Sequence, residues 1–589
     1  MISHRISIAD VHAHQFRVTL TVPQPGPEVE VSLPVWIPGS YMVREFGRQL
    51  SGLQASQGAS DVPLLQTDKS TWQLRCTGRG ALTITYLVYA WDNSVRTAWL
   101  DAQRGFFNST SLCLRVTGRD SEPQRLTLAD APAGWQVATS LPSRKVNAAG
   151  WGDYEAADYD ELVDHPVELG TFWRGRFTAH GVPHELIVTG ALPDVDGGRL
   201  LADTQRICEA EIAFWHAGKG GEVAPPPFER YVFLLNAVDE GYGGLEHRAS
   251  TALIAARRDL PARGRPETPD GYVTLLGLIS HEYFHTWNVK RLRPAELARI
   301  DYSRENHTRL LWFFEGFTSY YDDQFLLRTG LIDAPRYLGL LSKTITSVLA
   351  TPGRHQHSVA QASFDAWVKY YRPDENSPNA TVSYYTQGSL VALLLDVSLR
   401  QAERGSLDDV MRRLWLRSHG GPIGEEDILL AVSDVAGAVL ARSLVPQLSA
   451  WVHRPGELPL QATLEALGLR WTHAAGTLAQ RLGLRVSESA LTGVRATHVL
   501  SAGAAQQAGV YAGDELLALD DWRLRRLDDA ARLLTPGVPA RLLVSRDQRL
   551  HALALTLPAD DPSRGAVQLG LHDKLLKPQL AKRKAWLGV

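Results

Sequence analysis

The chain lacks several features that would place it in a disulfide-stabilised, nucleic-acid-binding or membrane-spanning class. Its 589 residues include only three cysteines, Cys76, Cys113 and Cys208. That number is odd and the spacing wide, which excludes a disulfide framework and a CxxC metal site. Lys plus Arg number 61 and Asp plus Glu 64, so the formal net charge is -3 and no global positive field attracts nucleic acid. No apolar run approaches the roughly 18 residues that span a membrane. We therefore expect neither nucleic acid nor a membrane as a partner.

The rest of the composition is typical of a soluble globular protein. Apolar residues make up 44% of the chain and charged residues 21%, both ordinary values. At roughly 150 residues per domain, the length predicts about four domains. Residues 1–16 contain no apolar core of a signal peptide, so the expected location is the cytoplasm.

Hydrophobic periodicity changes along the chain and predicts a multidomain α+β protein. A near-continuous apolar run at 231–238 predicts a buried strand, and helical patterns cover about 272–288, 308–327 and 389–404. The predicted segments are, in order, a β-rich, β-sandwich-like domain at 1–170, a mixed domain at 171–350, a helical domain at 351–460, a second region of strands with its linker at 461–560, and a basic C-terminal tail at 561–589.

The strongest chemical signal is the pentad HEYFH at 281–285, which follows an apolar helical pattern. Residues four apart on a helix share a face, so His281 and His285 can bind one zinc ion. Glu282 lies next to the first ligand and can act as the general base that takes a proton from the attacking water. The pentad therefore predicts a zinc hydrolase.

A zinc hydrolase needs a third protein ligand and an open fourth position, and two glutamates compete for the role. Glu305 lies 20 residues after His285, a spacing typical of thermolysin-like enzymes, but in a polar segment. Glu315 lies 30 residues after His285, as the single carboxylate of an apolar helical pattern. A buried carboxylate is costly unless it is paired or binds a metal. We therefore predict one zinc ion per chain, held by His281, His285 and Glu315.

Further motifs occur in five separate segments: LPVWIPGSYMVREF at 33–46, DNSVRTAWLD at 92–101, GGLEH at 243–247, HEYFHTWNVKRLRP at 281–294 and WFFEGFTSYY at 312–321. In this order they resemble the glycyl aminopeptidase family of gluzincin zinc metallopeptidases (clan MA), which is related to the aminopeptidase N group. The resemblance covers nearly the whole chain. It implies a thermolysin-like catalytic domain at 171–350 and a preference for a small first residue, Gly or Ala.

The resemblance also implies roles for residues outside the pentad. In GGLEH, Glu246 corresponds to the glutamate that binds the free α-amino group of the substrate, since a carboxylate pairs with an ammonium group. Gly243 and Gly244 let a peptide approach the backbone closely. In YYTQG, the Tyr-x-x-Gly spacing indicates Tyr385 as the donor to the oxyanion, with the neighbouring Tyr384 as the alternative.

The segment between His285 and Glu315 is longer than in the wider aminopeptidase pattern. It contains Lys290, Arg291 and Arg293, which could order the loop, complement a helix C-terminus or meet a substrate carboxylate. We favour a structural role for these three residues.

Residues from about 474 to 560 resemble a PDZ domain. Leu482-Gly483-Leu484 fits the carboxylate-binding loop, and 502–521 is similar to the bacterial form of the fold. PDZ domains bind an extended chain by strand addition and its terminal carboxylate through backbone N–H groups. The resemblance therefore implies a peptide or C-terminus as ligand, and a docked structural module without a ligand is the alternative.

The sequence thus predicts a zinc-dependent aminopeptidase that acts on peptides with a free N-terminus. Two rival functions remain. A zinc endopeptidase of thermolysin-like mechanism would need an unobstructed cleft and no amine anchor. A catalytically inert binding protein would act through its PDZ domain, but the complete set of zinc ligands and base argues against inertness.

Overall fold

The computed structural model describes residues 1–218, 220–572, 574–575 and 577–588. The chain forms two compact units. The first comprises Met1–Asn306 with Gly420–Pro422, and the second comprises His307–His419 with the chain from Ile423 onwards. Cys76, Cys113 and Cys208 are all buried free thiols, as expected for a chain without a disulfide framework.

The first unit begins with a β-rich region of sixteen strands and two short α-helices. In chain order these are β1 (Ile2–Asp10), β2 (Gln15–Val22), β3 (Glu28–Ser32), β4 (Leu50–Gln57), β5 (Ser60–Asp61), β6 (Leu64–Gln66), β7 (Thr71–Arg75), β8 (Leu82–Tyr89), β9 (Ala98–Leu100), β10 (Arg104–Phe107), α1 (Ser109–Leu112), β11 (Arg115–Val116), β12 (Gln124–Ala129), β13 (Gln136–Ala138), β14 (Ser143–Val146), β15 (Gly152–Ala156), α2 (Tyr159–Val163) and β16 (Val167–Gly170).

Three sheets build this region, and the predicted β-rich domain is confirmed. The strand orders are β14-β15-β12-β1-β2-β8-β4-β5, β13-β16-β10-β9 and β11-β3-β7-β6. In β2, Phe16, Val18, Leu20 and Val22 alternate with more exposed residues and are fully buried. Successive side chains of a strand point to opposite faces, so this alternation places one apolar face in the core.

The remainder of the first unit is a five-stranded mixed sheet with two long helices. The sheet order is β17-β18-β19-β21-β20, in which β18, β19 and β21 are parallel and β20 is an antiparallel edge strand. All eight residues of β19 are buried, as predicted for 231–238. The elements are β17 (Trp173–Ala179), β18 (Val182–Thr189), α3 (Gly197–His216), β19 (Tyr231–Val238), β20 (Tyr242–Glu246), β21 (Ser250–Ala256) and α4 (Asp270–Phe284).

The second unit begins with helices, of which the later ones lie in the stretch 351–460 that the sequence analysis assigned to a helical domain. These are α5 (Leu311–Arg328), α6 (Ala334–Leu349), α7 (Val359–Phe364), α8 (Ser377–Ala380), α9 (Tyr384–Gln401), α10 (Leu407–Ser418), α11 (Glu425–His453) and α12 (Leu460–Glu465).

Two of these helices, α5 and α9, approach each other very closely. A Cβ atom at Gly316 would lie 2.5 Å from the Cα of Gly388, and one at Gly388 would lie 2.5 Å from the carbonyl oxygen of Trp312. Helix α9 begins five residues earlier than the predicted start at 389, because Ser383 caps it by accepting from the N–H of Thr386. The earlier start places Tyr385 in the first turn.

Helix α11 corrects the expectation that no segment is apolar enough to cross a membrane. Its most apolar window has a mean hydropathy of 1.9, and by length and composition it could span a bilayer. The sequence analysis overlooked it because Asp434 and Arg442 interrupt the apolar run. Gly437, at φ 71° and ψ 163°, breaks the helical geometry within it. A single helix of this kind says little by itself, since core helices of soluble proteins also pass this test.

The last part of the second unit is built mainly of strands. A six-stranded sheet has the order β23-β24-β25-β27-β28 with β26 on β25, and β22 pairs with β29 in a separate ribbon. The elements are β22 (Leu469–His473), α13 (Leu478–Leu482), β23 (Leu484–Ser489), β24 (Gly493–Val499), α14 (Ala504–Gln507), β25 (Glu515–Leu519), β26 (Trp522–Arg523), β27 (Pro539–Arg546), β28 (Arg549–Thr556), β29 (Val567–Leu571) and α15 (Lys577–Leu587).

Helix α15 packs on the helices that precede it in the second unit. Trp586 is buried, and its Nε1 donates to the hydroxyl of Tyr320 on α5 at 3.1 Å. Arg400 on α9 donates to the carbonyl of Ala585, and Lys582 donates to that of Gln401. The basic segment therefore lies against α5 and α9, whereas Val589 is outside the described residues.

Candidate active site

Helix α4 of the first unit places the two histidines of the pentad together. His281 lies in its last turn and His285 caps its C-terminus, with the N–H of His285 donating to the carbonyl of His281 at 3.2 Å. The Nε2 atoms of the two rings are 3.1 Å apart. Both nitrogens can therefore serve one metal ion.

The second ring nitrogen of His285 fixes its tautomer. Nδ1 lies 2.8 Å from the carbonyl oxygen of Asn288. A carbonyl only accepts, so Nδ1 carries the proton and Nε2 presents a lone pair. This arrangement is typical of a histidine that binds zinc. The donors on α4 therefore fit zinc, and Asn288 is a supporting residue that the sequence analysis did not identify.

The edge strand β20 brings the predicted amine anchor beside the same helix. The carboxylates of Glu246 and Glu282 are both buried, and ligand atoms of Glu246, Glu282 and His285 all lie within 4.8 Å of one another. A Cβ atom at Gly244 would overlap the carboxylate of Glu282. The absence of a side chain at residue 244 therefore lets the strand lie directly against the predicted base.

This close approach makes Gly244→Ala informative. We expect the added methyl group to displace the Glu282 carboxylate and to lower kcat by about 10²-fold, the cost of misplacing a catalytic group by roughly 1 Å. Zinc content should not change, because neither residue is a predicted ligand. Gly198→Ala on α3, where a Cβ meets nothing closer than 3.5 Å, is the matched control. An unchanged kcat in Gly244→Ala would show that Glu282 is not held in this way.

Arg96 holds the edge strand from the β-rich region of the first unit. Its Nη2 donates to the carbonyl oxygen of Gly244 at 2.9 Å. Arg96 belongs to the segment DNSVRTAWLD, for which the sequence analysis noted a resemblance without giving the arginine a role. A contact between residues so distant in sequence has no local sequence signature.

The segment after His285 is anchored by a buried carboxylate. Asp164 accepts from Lys290 Nζ at 2.7 Å and from the N–H of Arg248 at 3.1 Å, and it lies 3.1 Å from His247 Nδ1. Burial alone would raise the pKa of Asp164, but the charges of Lys290 and Arg248 hold it well below its usual value. Arg291 donates to backbone carbonyls of Thr286 and Arg248. These contacts agree with the structural role expected for the basic residues.

The two candidates for the third ligand have different environments. Glu305 is exposed in an irregular segment of the first unit. Glu315 is 2% exposed and lies on α5 of the second unit. The placement agrees with the physical argument for Glu315, because a carboxylate buried on an apolar helix requires compensation.

Tyr385 lies near Glu315 within the second unit. Burial, with a contribution from the negative charge of Glu315, raises the pKa of Tyr385 well above its usual value. Its hydroxyl is therefore protonated at neutral pH and can donate a hydrogen bond. The alternative, Tyr384, is fully buried, whereas Tyr385 is only partly so. The exposure favours Tyr385 as the residue that meets a substrate.

Comparisons with known proteins give the family. Residues 3–171 match the peptidase M61 N-terminal domain, and residues 274–391 match the M61 glycyl aminopeptidase domain. A crystal structure of an aminopeptidase N family protein from Idiomarina loihiensis is 35% identical, with 100% of both chains covered and a TM-score of 0.92. The chain belongs to the aminopeptidase N family and carries the N-terminal and catalytic domains of the M61 glycyl aminopeptidases. It is a zinc metallo-aminopeptidase, and the two domain matches confirm the resemblance of those segments to the glycyl aminopeptidases.

More distant structures are also similar to this aminopeptidase. An M1 zinc metallopeptidase from Deinococcus radiodurans is 16% identical over 78% of this chain and 94% of that chain, with a TM-score of 0.47. This likeness is too distant to support an argument about function. Among curated proteins no match to the chain was found.

Proposed function

We propose that this aminopeptidase releases single N-terminal residues, with a preference for Gly or Ala, from peptides with a free N-terminus. One zinc ion per chain is held by His281, His285 and Glu315 in a thermolysin-like catalytic domain. The observation that supports this most is the cluster of Glu246, Glu282 and His285 within 4.8 Å. An amine anchor so near a metal ligand leaves space for only one residue before the scissile bond. The preference for a small residue rests on the family resemblance.

The chemistry follows from the side chains. Zinc, when bound, supplies Lewis acidity toward water and the scissile carbonyl. Glu282 accepts a proton from the attacking water and delivers it to the leaving nitrogen. Tyr385 donates a hydrogen bond to the carbonyl oxygen as negative charge develops there. Glu246 holds the α-ammonium group through a charge-assisted hydrogen bond and so aligns the first peptide bond.

The choice of third ligand is tested by two matched substitutions. Glu315→Ala should lose most of the bound zinc, because the two histidines alone leave the metal with an incomplete ligand set. Glu305→Ala, which removes an exposed carboxylate, should keep a full complement. Zinc per chain is measured by atomic emission after gel filtration. If Glu305→Ala loses zinc and Glu315→Ala retains it, the assignment is wrong.

We also propose that residues from about 474 to 560 are a PDZ-like module that is docked as a structural part of the chain. The six-stranded sheet supports this fold. The N–H of Gly483 donates to the carbonyl of Gln480 at 3.2 Å, so this donor of the predicted carboxylate-binding loop is already used within the chain. Asn379 in α8 donates to the carbonyl of Val499 at 2.9 Å and accepts from the N–H of Ser501 at 2.8 Å. This paired contact supports docking.

Asn379→Ala tests the docking. Loss of the two hydrogen bonds, each worth about 1 kcal/mol, should lower the Tm of the module and expose it to limited proteolysis. The kcat should stay unchanged, because Asn379 has no role in the proposed chemistry. A wild-type Tm together with a wild-type proteolysis pattern would contradict a module held by this contact.

A further inference from the structure

One loop of the N-terminal β-rich region lies directly against Glu246, the proposed amine anchor. The loop is Ile37-Pro38-Gly39-Ser40, in which the N–H of Ser40 donates to the carbonyl of Ile37 at 3.1 Å. Gly39 has φ +92°. Proline at the second position of a turn and a glycine of positive φ at the third are the signature of a type II turn. The turn therefore has a defined shape that requires glycine at residue 39.

This turn is held rigidly within the first unit. Nε1 of Trp36 donates to the carbonyl of Asp301 at 2.8 Å, and the N–H of Val35 donates to that of Tyr302 at 2.8 Å. Arg44 Nη2 donates to the hydroxyl of Ser40, also at 2.8 Å, and Ser40 is fully buried. Because hydrogen bonds hold the turn on both sides, its backbone does not shift easily when another group presses against it.

The carboxylate of Glu246 occupies the space that a Cβ atom at residue 39 would need. A Cβ atom at residue 39 would lie 2.5 Å from Oε1, 2.6 Å from Oε2 and 2.7 Å from Cδ of Glu246, all shorter than real Cβ contacts. The same turn and Glu246 border a cavity of about 50 Å³. A side chain at residue 39 would therefore push the carboxylate aside, and the cavity offers a place for it to move.

We propose that Gly39 is a positioning residue for the amine anchor: the type II turn of the N-terminal region sets where the Glu246 carboxylate stands and hence where the substrate ammonium binds. This inference rests on the proposed role of Glu246. It gives the β-rich region a part in substrate recognition, since a strand of the mixed sheet and a turn of the β-rich region together align the first residue of a peptide.

A pair of inhibitors measures the anchor separately from the rest of the site. Glycine hydroxamate and acetohydroxamate differ only in the α-amino group, and both carry the same metal-binding group. The inhibition constant of acetohydroxamate divided by that of glycine hydroxamate therefore reports the contribution of the ammonium–Glu246 contact. The ratio does not depend on the fraction of active protein, so it separates positioning from a loss of folded enzyme.

Gly39→Ala should reduce this ratio at least tenfold and raise KM for free-amine substrates, while zinc content is unchanged. Gly134→Ala is the matched control, because Gly134 has φ +77° but nothing lies within 4 Å of its Cβ position, so it carries the backbone strain without the collision. Gly39→Ala combined with Glu246→Asp should recover part of the ratio, since the shorter carboxylate leaves room for the methyl group. If Gly39→Ala does not fold, Pro38→Gly is tested in its place. It loosens the turn without adding atoms and should lower the ratio partially.

The possible outcomes distinguish a failure of the positioning role of Gly39 from a failure of the proposed role of Glu246. If Glu246→Ala keeps the wild-type ratio, the amine anchor itself is wrong. If Glu246→Ala brings the ratio near one but Gly39→Ala and Pro38→Gly both keep the wild-type value, only the positioning role is overturned. If Gly134→Ala lowers the ratio as much as Gly39→Ala does, backbone strain rather than the collision is responsible, and the inference also fails.

Discussion

Glu282→Gln should retain zinc but lose activity by about 10²–10⁴-fold in kcat, the usual cost of removing a general base. The substitution keeps the size of the side chain and removes its ability to accept a proton. Because Glu282 is not a predicted ligand, His281, His285 and Glu315 should hold the metal as before. The measurement is kcat on an alanyl substrate together with zinc per chain.

Glu305→Gln is the matched control for this experiment, because it makes the same chemical change on an exposed loop. Its kcat should equal that of the wild type. The assignment of Glu282 as the general base would be wrong if Glu282→Gln retained more than about a tenth of wild-type kcat. It would also be wrong if this variant lost zinc to the same extent as Glu315→Ala.

Glu246→Ala should lower kcat/KM for free-amine substrates by about 10²-fold or more, since truncating one partner of a buried, hydrogen-bonded charge pair costs roughly 2–5 kcal/mol. The substrate loses both a charge-assisted bond and its alignment over the site. Zinc content should stay intact. Glu240→Ala, which removes an exposed acid shortly before β20, is the matched control because the Glu240 side chain is 72% exposed. Equal kcat/KM values in Glu246→Ala and wild type would exclude the anchor.

The local parts of this fold could be predicted because their signals are local. The apolar run at 231–238 forms β19, and the apolar pattern before the pentad forms α4. The GGLEH segment was harder, because glycine is depleted in strands. It forms β20 only through its pairing with β21.

The supporting residues of the site could not be predicted because their partners are distant in sequence. Nothing near Gly39 in the sequence indicates that a carboxylate more than two hundred residues later rests on it, and the same applies to Arg96 and Gly244. Proline followed by glycine favours a turn, but the dipeptide does not show what the turn faces. The chemical groups of an active site have motifs, whereas the groups that position them are fixed by tertiary packing.

The central claim is that this enzyme requires a free amino terminus, and the most direct test uses the wild-type protein. One peptide beginning with alanine is offered in two forms, with a free amine and with an N-acetyl group, and release of the first residue and internal cleavage are both followed by mass spectrometry. The acetyl group removes the positive charge that Glu246 would bind and adds bulk beside it. The account predicts turnover of the free-amine peptide and almost none of the acetylated one. Cleavage of the acetylated peptide at a comparable rate would contradict the account and favour an endopeptidase.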